Sequence, residues 1–381
     1  MTATAKTKSR RKATEPPALR GRVSQLQRRL REIAADALLV TNPRDIRYLT
    51  GFIGEDSWAL VPLRGRRVYI LSDSRFEEQI QREAPHATAI IRRGGMVDEL
   101  AALLGRKSID RITLQPDYVT LAQRRQLAKK LGAKRLVNAK DGLIQQRSIK
   151  QDGEIKAIRK ALRIQQQAYR ETLDFIKPGH SEQEIAAYLE YRMRSLGADG
   201  PSFPSIVAID ANAALPHAIP GKKQLKVGSM LLIDWGAKVD GYCSDMTRVV
   251  AYQRMKPRIH EIYQITLEAQ QAGIHAIRPG ATLEAIDAAA RQVITDAGFG
   301  PQFGHSLGHG IGLDIHEQPS LSPRSQGKLK PGQVVTVEPG IYLPGVGGVR
   351  LEDDVLVTQK GGKVLRDLPK GLESAMIGGR N

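Results

Sequence analysis

An internal repeat in the second half of this 381-residue chain restricts its possible folds more than any other feature. Each copy contains a Pro-Gly segment that opens a predicted helix, then a Leu-Lys-x-Gly turn before an apolar strand. The helix openings are Lys177–Ser181 and Arg278–Thr282, and the turns with their strands are Leu225–Ile233 and Leu329–Val337. Two matches in the same order indicate two copies of one supersecondary unit. The sequence therefore predicts an α+β domain with a pseudo-twofold axis.

The part before the repeat has the pattern of a separate, smaller domain. A compact domain rarely exceeds about 250–300 residues, so two domains are expected. Short apolar runs alternate with helical patterns between Ala37 and Asn138, and an Arg-Gly-Arg-Arg turn at 64–67 indicates a hairpin. We predict a disordered basic tail over residues 1–18, an α/β domain over 19–145 and the repeat-containing domain over 146–381.

Two local features of the chain carry specific predictions. Ser74-Arg75-Phe76-Glu77 has the pattern of a capping box that opens a helix toward Glu83. The segment 149–176 lacks proline and is predicted to be helical at the start of the second domain.

The net charge of +18 is unevenly distributed. Residues 1–150 hold 31 Lys+Arg and 15 Asp+Glu, a net charge of +16, and residues 151–381 contribute the remaining +2. A basic face can bind a polyanion, but zinc-finger spacing and aromatic-interleaved basic stretches are missing. Nucleic acid is therefore not an expected main partner, although a noncatalytic polyanion-binding or scaffold role stays open as an alternative.

The composition also predicts a cytoplasmic location. No stretch approaches the ~20 apolar residues of a membrane span, and no apolar segment follows the basic start as in a secretory signal. The single cysteine, Cys243, cannot form an internal disulfide, which fits a reducing compartment.

Carboxylates occur at equivalent places in the two repeat copies. A turn at Asp240-Gly241 would place Asp234 opposite Thr247, with Asp245 on the same face at about 7–8 Å. The second copy supplies Glu338 and Glu352. Four carboxylates among apolar strands would cost several kcal/mol each without cations. We therefore predict two divalent ions, and oxygen-rich ligation favours Mn²⁺ or a similar hard ion.

Four of the eight histidines stand among glycine and proline residues, where backbone and substrate can approach closely. They are His217, His305, His309 and His316.

Together these motifs resemble the metal-dependent Xaa-Pro peptidases, the aminopeptidase P and prolidase group with the pita-bread fold. The motifs of the second domain that carry this resemblance are Ile233–Gly236, Ser244–Arg248, Gly308–Gly312, Glu338–Tyr342 and Arg350–Asp353. Asn42–Phe52 and Asp73–Phe76 are similar to that family's creatinase-like N-terminal domain. The resemblance implies a pita-bread catalytic domain that follows a creatinase-like domain.

By this resemblance, Asp234 would hold one metal ion, His309 and Glu338 the other, and Asp245 and Glu352 would bridge both. The ions would be Mn²⁺, with Co²⁺ or Zn²⁺ as alternatives. A bridging hydroxide would attack the Xaa-Pro bond, a tertiary amide without an N–H.

The resemblance also assigns roles to further side chains. Glu338 would accept a proton and pass it to the leaving proline nitrogen. His217 and His316 would stabilise the oxyanion, and Arg350 would orient Glu352 or neighbouring acids. His305 and Tyr342, together with His217 and His316, would line the substrate pocket.

The resemblance further implies a homodimer acting on peptides or dipeptides with proline at the second position. Ile209–Asn212 departs from the pattern, because many relatives have a glycine there, which leaves the conformation of the loop before His217 open. A methionine-aminopeptidase-like or other pita-bread hydrolase is an alternative, although such enzymes usually lack the N-terminal domain. Creatinase and noncatalytic relatives lack the full ligand set that is present here.

Overall fold

The computed structural model describes residues 16–137, 142–365 and 368–378. Of the predicted tail, residues 1–15 lie outside the described residues, whereas Pro17 and Ala18 belong to the first helix. The chain divides into two units, Met1–Gln146 and Arg147–Asn381. Within the described ranges, no helix combines the length and the apolar character needed to cross a bilayer.

The first unit is an α/β structure built on one six-stranded sheet. The sheet order is β4-β3-β2-β1-β5-β6, in which β2 runs antiparallel to β1 and β3 and the other neighbouring pairs are parallel. The predicted hairpin around Arg64–Arg67 is present as β2 and β3. The strands are β1 (Ala37–Val40), β2 (Trp58–Pro62), β3 (Tyr69–Ser72), β4 (Thr88–Ile91), β5 (Ile112–Thr113) and β6 (Leu136–Val137); the helices are α1 (Pro17–Glu32), α2 (Pro43–Thr50), α3 (Glu77–Glu83), α4 (Met96–Arg106), α5 (Leu121–Leu131) and, across the division, α6 (Gly142–Ser148).

One local prediction is wrong, and a second is confirmed except at the ends of the segment. The capping box at Ser74 does not form, because Asp73 takes the cap position and accepts a hydrogen bond from Arg75 N, so that a 3₁₀ turn precedes α3. The helix predicted over residues 149–176 is present as one continuous helix over Asp152–Phe175, and Gln151 is its N-cap in a capping box with Glu154. Its start is later than predicted, because Ile149 pairs with Gln333 as an isolated β-bridge.

The second unit contains the two repeat copies. In the first, β8 pairs with β9 and β9 with β12; in the second, β13 pairs with β15 and β15 with β18, all antiparallel. The helices are α7 (Asp152–Phe175), α8 (Glu182–Ser195), α9 (Pro257–Ala276) and α10 (Leu283–Asp296); the strands are β7 (Gly200–Pro201), β8 (Ile206–Ile209), β9 (Met230–Trp235), β10 (Ala237–Val239), β11 (Tyr242–Cys243), β12 (Met246–Tyr252), β13 (Gly308–Gly310), β14 (Glu317–Leu321), β15 (Val334–Val337), β16 (Gly340–Leu343), β17 (Gly347–Arg350), β18 (Asp353–Thr358), β19 (Gly361–Val364) and β20 (Met376–Ile377).

The repeat extends to individual backbone hydrogen bonds. Gly179 N donates to Leu225 O at 2.9 Å, and Gly280 N donates to Leu329 O at the same distance. Each Pro-Gly segment is thus held against the Leu-Lys-x-Gly turn of its own copy. The predicted pseudo-symmetric α+β domain is confirmed.

Strand β9 is buried on both faces, which places the first carboxylate of the site. Leu231 and Ile233 lie in one hydrophobic cluster, and Met230 and Leu232 lie in the other. Because side chains alternate along a strand, Asp234 shares the face of Met230 and Leu232. The apolar residues of the strand therefore determine the face of β9 on which the Asp234 side chain lies.

Candidate metal centre

Two carboxylates lie on the hairpin of the first repeat copy. Asp234 in β9 is opposite Thr247 in β12, as the turn at Asp240-Gly241 predicts. Asp234 and Asp245 are both buried. In each of them Oδ1 is buried without a hydrogen-bond partner among the described residues.

Two more carboxylates come from the second copy. Glu338 follows β15, and its backbone N donates to Leu307 O at 2.8 Å. Glu352 precedes β18, and its Oε2 accepts a hydrogen bond of 2.7 Å from Thr247 Oγ1 on β12. The Oε1 atom of Glu352 is buried and lacks such a partner in the described part of the chain. The copies therefore meet at their carboxylates.

His309 on β13 completes the cluster. Its Nε2 lies 3.4 Å from Glu338 Oε1 and 3.7 Å from Asp245 Oδ2. Asp245, His309 and Glu352 each offer one ligand atom, and these three atoms lie within 4.8 Å of one another. The structure thus brings a histidine nitrogen and carboxylates from both copies to one place.

Burial dominates the electrostatics of this cluster. It raises the pKa of Asp245 and of Glu352 well above the usual range, and neighbouring carboxylates add to both shifts. Burial also raises the pKa of Glu338 to about 8. The pKa of His309 falls to about 4, because the ring is buried and His316 is nearby. Carboxylates this close can all be charged only beside a cation.

The donor set fits divalent metal ions. Asp234, Asp245 and Glu352 each direct a buried carboxylate oxygen that lacks a hydrogen bond within the described ranges. His309 Nδ1 lies 3.0 Å from Gly310 O, so Nδ1 donates there and a neutral ring leaves Nε2 free of a proton. Carboxylate oxygens with one imidazole suit a hard or borderline divalent ion.

Arg350 connects the cluster to its surroundings. It is buried and donates from Nη2 to Asp234 Oδ2 at 2.6 Å, from Nη1 to the Tyr342 hydroxyl at 2.7 Å and from Nε to Thr247 Oγ1 at 3.1 Å. It therefore contacts Asp234 directly and is linked to Glu352 by hydrogen bonds through Thr247.

The hydrogen bonds around His305 determine which nitrogen of its ring carries the proton. Arg350 donates to the Tyr342 hydroxyl, so this hydroxyl donates to His305 Nε2 at 2.9 Å. The ring then donates from Nδ1 to Ser306 O at 2.8 Å. Burial lowers the pKa of His305 to about 4, which agrees with a neutral ring.

His217 and His316 lie at the solvent side of the cluster, and both are exposed. The rings of His316 and His309 are 4.3 Å apart in an edge-to-face arrangement. Partial burial lowers the pKa of His316, and the nearby His217 lowers it further. All four histidines that stand among glycine and proline in the sequence thus gather around the carboxylates.

Three polar residues of the site were not predicted. Thr247 donates to Glu352; Thr336 donates to Glu338 Oε1 at 3.3 Å and accepts from His309 N at 3.0 Å; Asp354 Oδ2 accepts from Asp245 N at 3.2 Å. Each stands two residues from a carboxylate of the cluster on the same stretch of chain. Positions i and i+2 of a strand share a face, so this spacing is the signal that would have found them.

This architecture with its cluster defines the class of protein: the chain belongs to metallopeptidase family M24, whose family model matches residues 156–359. A second model, the Creatinase/Prolidase N-terminal domain, matches residues 22–149. The protein is therefore a metallopeptidase with a creatinase-like N-terminal domain and a pita-bread catalytic domain.

Relatives with this organisation match almost the whole chain. An uncharacterized peptidase of Bacillus subtilis, YqhT, is 37% identical over 92% of this chain and 99% of its own length. Among solved structures, an Xaa-Pro dipeptidase from Bacillus anthracis has a TM-score of 0.90 with 37% identity, covering 94% of this chain and 100% of its own. An X-Pro aminopeptidase from Thermotoga maritima has a TM-score of 0.84 with 36% identity, covering 92% and 99%.

Proposed function

We propose that the protein hydrolyses the bond between an N-terminal residue and a proline at the second position. The observation that carries the proposal is the buried group of Asp245, His309 and Glu352, with Asp234 and Glu338 beside it. The names of the relatives, an Xaa-Pro dipeptidase and an X-Pro aminopeptidase, support the choice of substrate. The match over residues 22–149 favours this function over a methionine-aminopeptidase-like one.

Two divalent ions, Mn²⁺ in our proposal with Co²⁺ or Zn²⁺ as alternatives, would be held by the five side chains. Asp234 would hold one ion, His309 and Glu338 the other, and Asp245 and Glu352 both. When bound, such ions lower the pKa of a shared water so that hydroxide is available near neutral pH.

The protein's own groups would handle the protons and the developing charge. Glu338 accepts a proton and returns it to the proline nitrogen, while Thr336 Oγ1 holds its Oε1 atom. His217 and His316, which are exposed and near each other, donate hydrogen bonds to the oxyanion. Arg350 orients Asp234, and His305 with Tyr342 lines the pocket.

Metal removal and restoration tests this proposal. The protein is stripped with a chelator, reloaded with Mn²⁺, Co²⁺ or Zn²⁺, and assayed on Xaa-Pro, Xaa-Pro-Yaa and Xaa-Ala peptides. We expect activity on the proline substrates to disappear on stripping and to return best with Mn²⁺. Absence of turnover on both proline substrates would refute the peptidase assignment, and the ratio of dipeptide to tripeptide cleavage decides between dipeptidase and aminopeptidase.

The proposal includes a homodimer in the cytoplasm, with domains over residues 19–145 and 146–381. Light scattering of the purified protein tests the dimer: a monomer mass at assay concentration would contradict it.

A further inference from the structure

The loop that carries His217, Ile209–Gly221, is held at both ends by one carboxylate. Glu182, in the first turn of α8, is 0% exposed. Its Oε1 accepts hydrogen bonds from Ile209 N at 2.7 Å and from Asn212 Nδ2 at 2.9 Å. Its Oε2 accepts one from Gly221 N at 2.8 Å. Three donors of the loop thus converge on a single side chain.

Two small side chains anchor the middle of this loop: Ala213 is 0% exposed and Ala218 is 6% exposed, and both lie in the hydrophobic core. Leu215 is 62% exposed and Ile219 is 88% exposed, so the large apolar side chains on either side of His217 do not anchor it. Inside the loop, Leu215 N donates to Asn212 O and Ala218 N donates to Leu215 O, which shapes the turn. The position of His217 relative to the cluster therefore depends on how the ends of the loop are held, together with the two buried alanines.

The start of the loop also departs from ordinary backbone geometry. Asp210 has a φ of +48°, in the left-handed region that favours glycine. Its carboxylate accepts from Ser229 Oγ at 2.8 Å and Met230 N at 3.2 Å, which holds the residue there. An aspartate thus makes the turn at this position, and Glu182 accepts a hydrogen bond from the N–H just before it.

We propose that Glu182 is a positioning residue that sets the place of His217 in the site. This inference rests on the role proposed for His217. The carboxylate suits the position because it offers acceptors only, and all its partners on the loop are donors. A glutamine at position 182 would turn its amide N–H₂ toward at least one of those donors. That donor of the loop would then be buried without an acceptor, which is energetically costly.

The test compares Glu182→Gln with Glu184→Gln in the Mn²⁺-loaded protein. Glu184 lies in the same helical turn, but its carboxylate accepts from Ser181 N and Oγ and supports the helix cap. Loss of an oxyanion donor costs about 10²–10³ in kcat. We expect Glu182→Gln to lower kcat by about 10-fold or more with metal content and KM little changed, and Glu184→Gln to keep the kcat of the unmodified protein.

A double-mutant comparison separates positioning from general destabilisation. If Glu182 acts through His217, then Glu182→Gln lowers kcat in the unmodified protein but not further in the His217→Ala background. If Glu182→Gln lowered kcat by the same factor in the unmodified protein and in the His217→Ala background, the inference would be overturned. Unchanged kcat in His217→Ala itself would instead overturn the role proposed for His217, so the two failures are distinguishable.

Asn212→Ala keeps the inference testable if Glu182→Gln does not fold. This variant removes one of the three donors to Glu182 and keeps both backbone N–H groups. We expect a several-fold loss of kcat that is likewise absent in the His217→Ala background. Unchanged kcat in Asn212→Ala would contradict the inference.

Discussion

At the scale of single residues, Glu338 combines a raised pKa with a fixed orientation. Burial raises its pKa to about 8 in the metal-free site, and Thr336 Oγ1 donates to its Oε1 atom. Glu338→Gln keeps the size and a hydrogen-bond acceptor but cannot take up a proton. General acid–base catalysis contributes about 10²–10⁴ in rate, so we expect kcat on an Xaa-Pro substrate to fall by at least about 100-fold.

Metal content of Glu338→Gln is measured alongside kcat, because Glu338 is also a proposed ligand. Thr336→Val is the graded control: it removes the hydrogen bond to Oε1 and the one that Thr336 Oγ1 accepts from His309 N, but it keeps the Glu338 carboxylate, and it is expected to cost less. Turnover by Glu338→Gln comparable to that of the unmodified protein would remove Glu338 from the proposed mechanism.

Arg350 gives the second prediction at this scale. Its guanidinium donates in three directions, to Asp234, to Tyr342 and to Thr247. A lysine cannot reproduce this planar fork, and loss of a group that orients a metal ligand typically costs about 10–100-fold in metal affinity or activity. We expect Arg350→Lys to weaken Mn²⁺ binding in calorimetric titration by that factor. Arg258→Lys, which changes an exposed ion pair, should leave the Mn²⁺ affinity unchanged. If both variants bound Mn²⁺ with the same affinity, the result would argue against orientation of Asp234 by Arg350.

At the scale of elements, the close approach of β13 to β15 limits what residue 308 can be. A Cβ atom on Gly308 would lie 2.0 Å from Thr336 O, so the strands would have to separate. Such overpacking costs about 1–3 kcal/mol or more. Gly308→Ala should therefore lower the melting temperature and, by displacing His309, reduce metal binding. Gly304→Ala is the matched control, since among the described residues no atom beyond its chain neighbours lies within 4 Å of the added Cβ. Equal melting temperatures for the two variants would contradict the prediction.

How far the structure could be predicted from the sequence also depends on whether the contacts of an element are local or distant along the chain. The register of β9 and β12 was predictable because the Asp240-Gly241 turn sets which residues face each other. The hydrogen bonds from the His217 loop to the Glu182 carboxylate were not predictable. Their donors, Ile209 N and Gly221 N, are far from Glu182 along the chain, and no local sequence pattern links them. The late start of the following helix, at Asp152 rather than Ile149, has the same origin, because Ile149 forms a bridge to the distant Gln333.

The candidate ligands were predictable for a different reason. The repeat places Asp234 and Glu338 at equivalent strand ends, so each copy supports the interpretation of the other. Thr247 and Thr336 stand in the same strands, but a buried hydroxyl among apolar residues is not by itself a functional signal. Their spacing of two residues from Asp245 and Glu338 puts them on the same face of the chain, but which carboxylate each hydroxyl contacts follows only from the structure.

At the scale of the whole molecule, the buried carboxylates link stability to pH. In the metal-free protein the pKa of Glu338 is raised to about 8, and the pKa values of Asp245 and Glu352 are raised as well. The folded state then binds more protons than the unfolded state, whose glutamates titrate near about 4.3. The free energy of unfolding must therefore fall as pH rises from about 5 through about 8.

The buried histidines act in the opposite direction over a lower range. The pKa values of His305 and His309 are lowered to about 4, whereas an unfolded histidine titrates near about 6.5. The unfolded state binds the extra protons between these values, so this contribution stabilises the protein as pH rises to about 6.5. Above about pH 7 it is small, because the unfolded histidines are then mostly neutral, and the carboxylate contribution dominates.

Thermal unfolding of the chelated protein between pH 7 and pH 8 isolates that contribution. We expect the melting temperature to fall, since each carboxylate that stays protonated in the folded state costs up to about 1.4 kcal/mol per pH unit. Mn²⁺ should raise the melting temperature more at pH 8 than at pH 7, because metal ions compete with protons for these oxygens. Glu338→Gln should weaken the pH dependence of the chelated protein by removing one titrating group. A melting temperature of the chelated protein that is constant or rises over this range would contradict the burial of protonated carboxylates in the metal-free site.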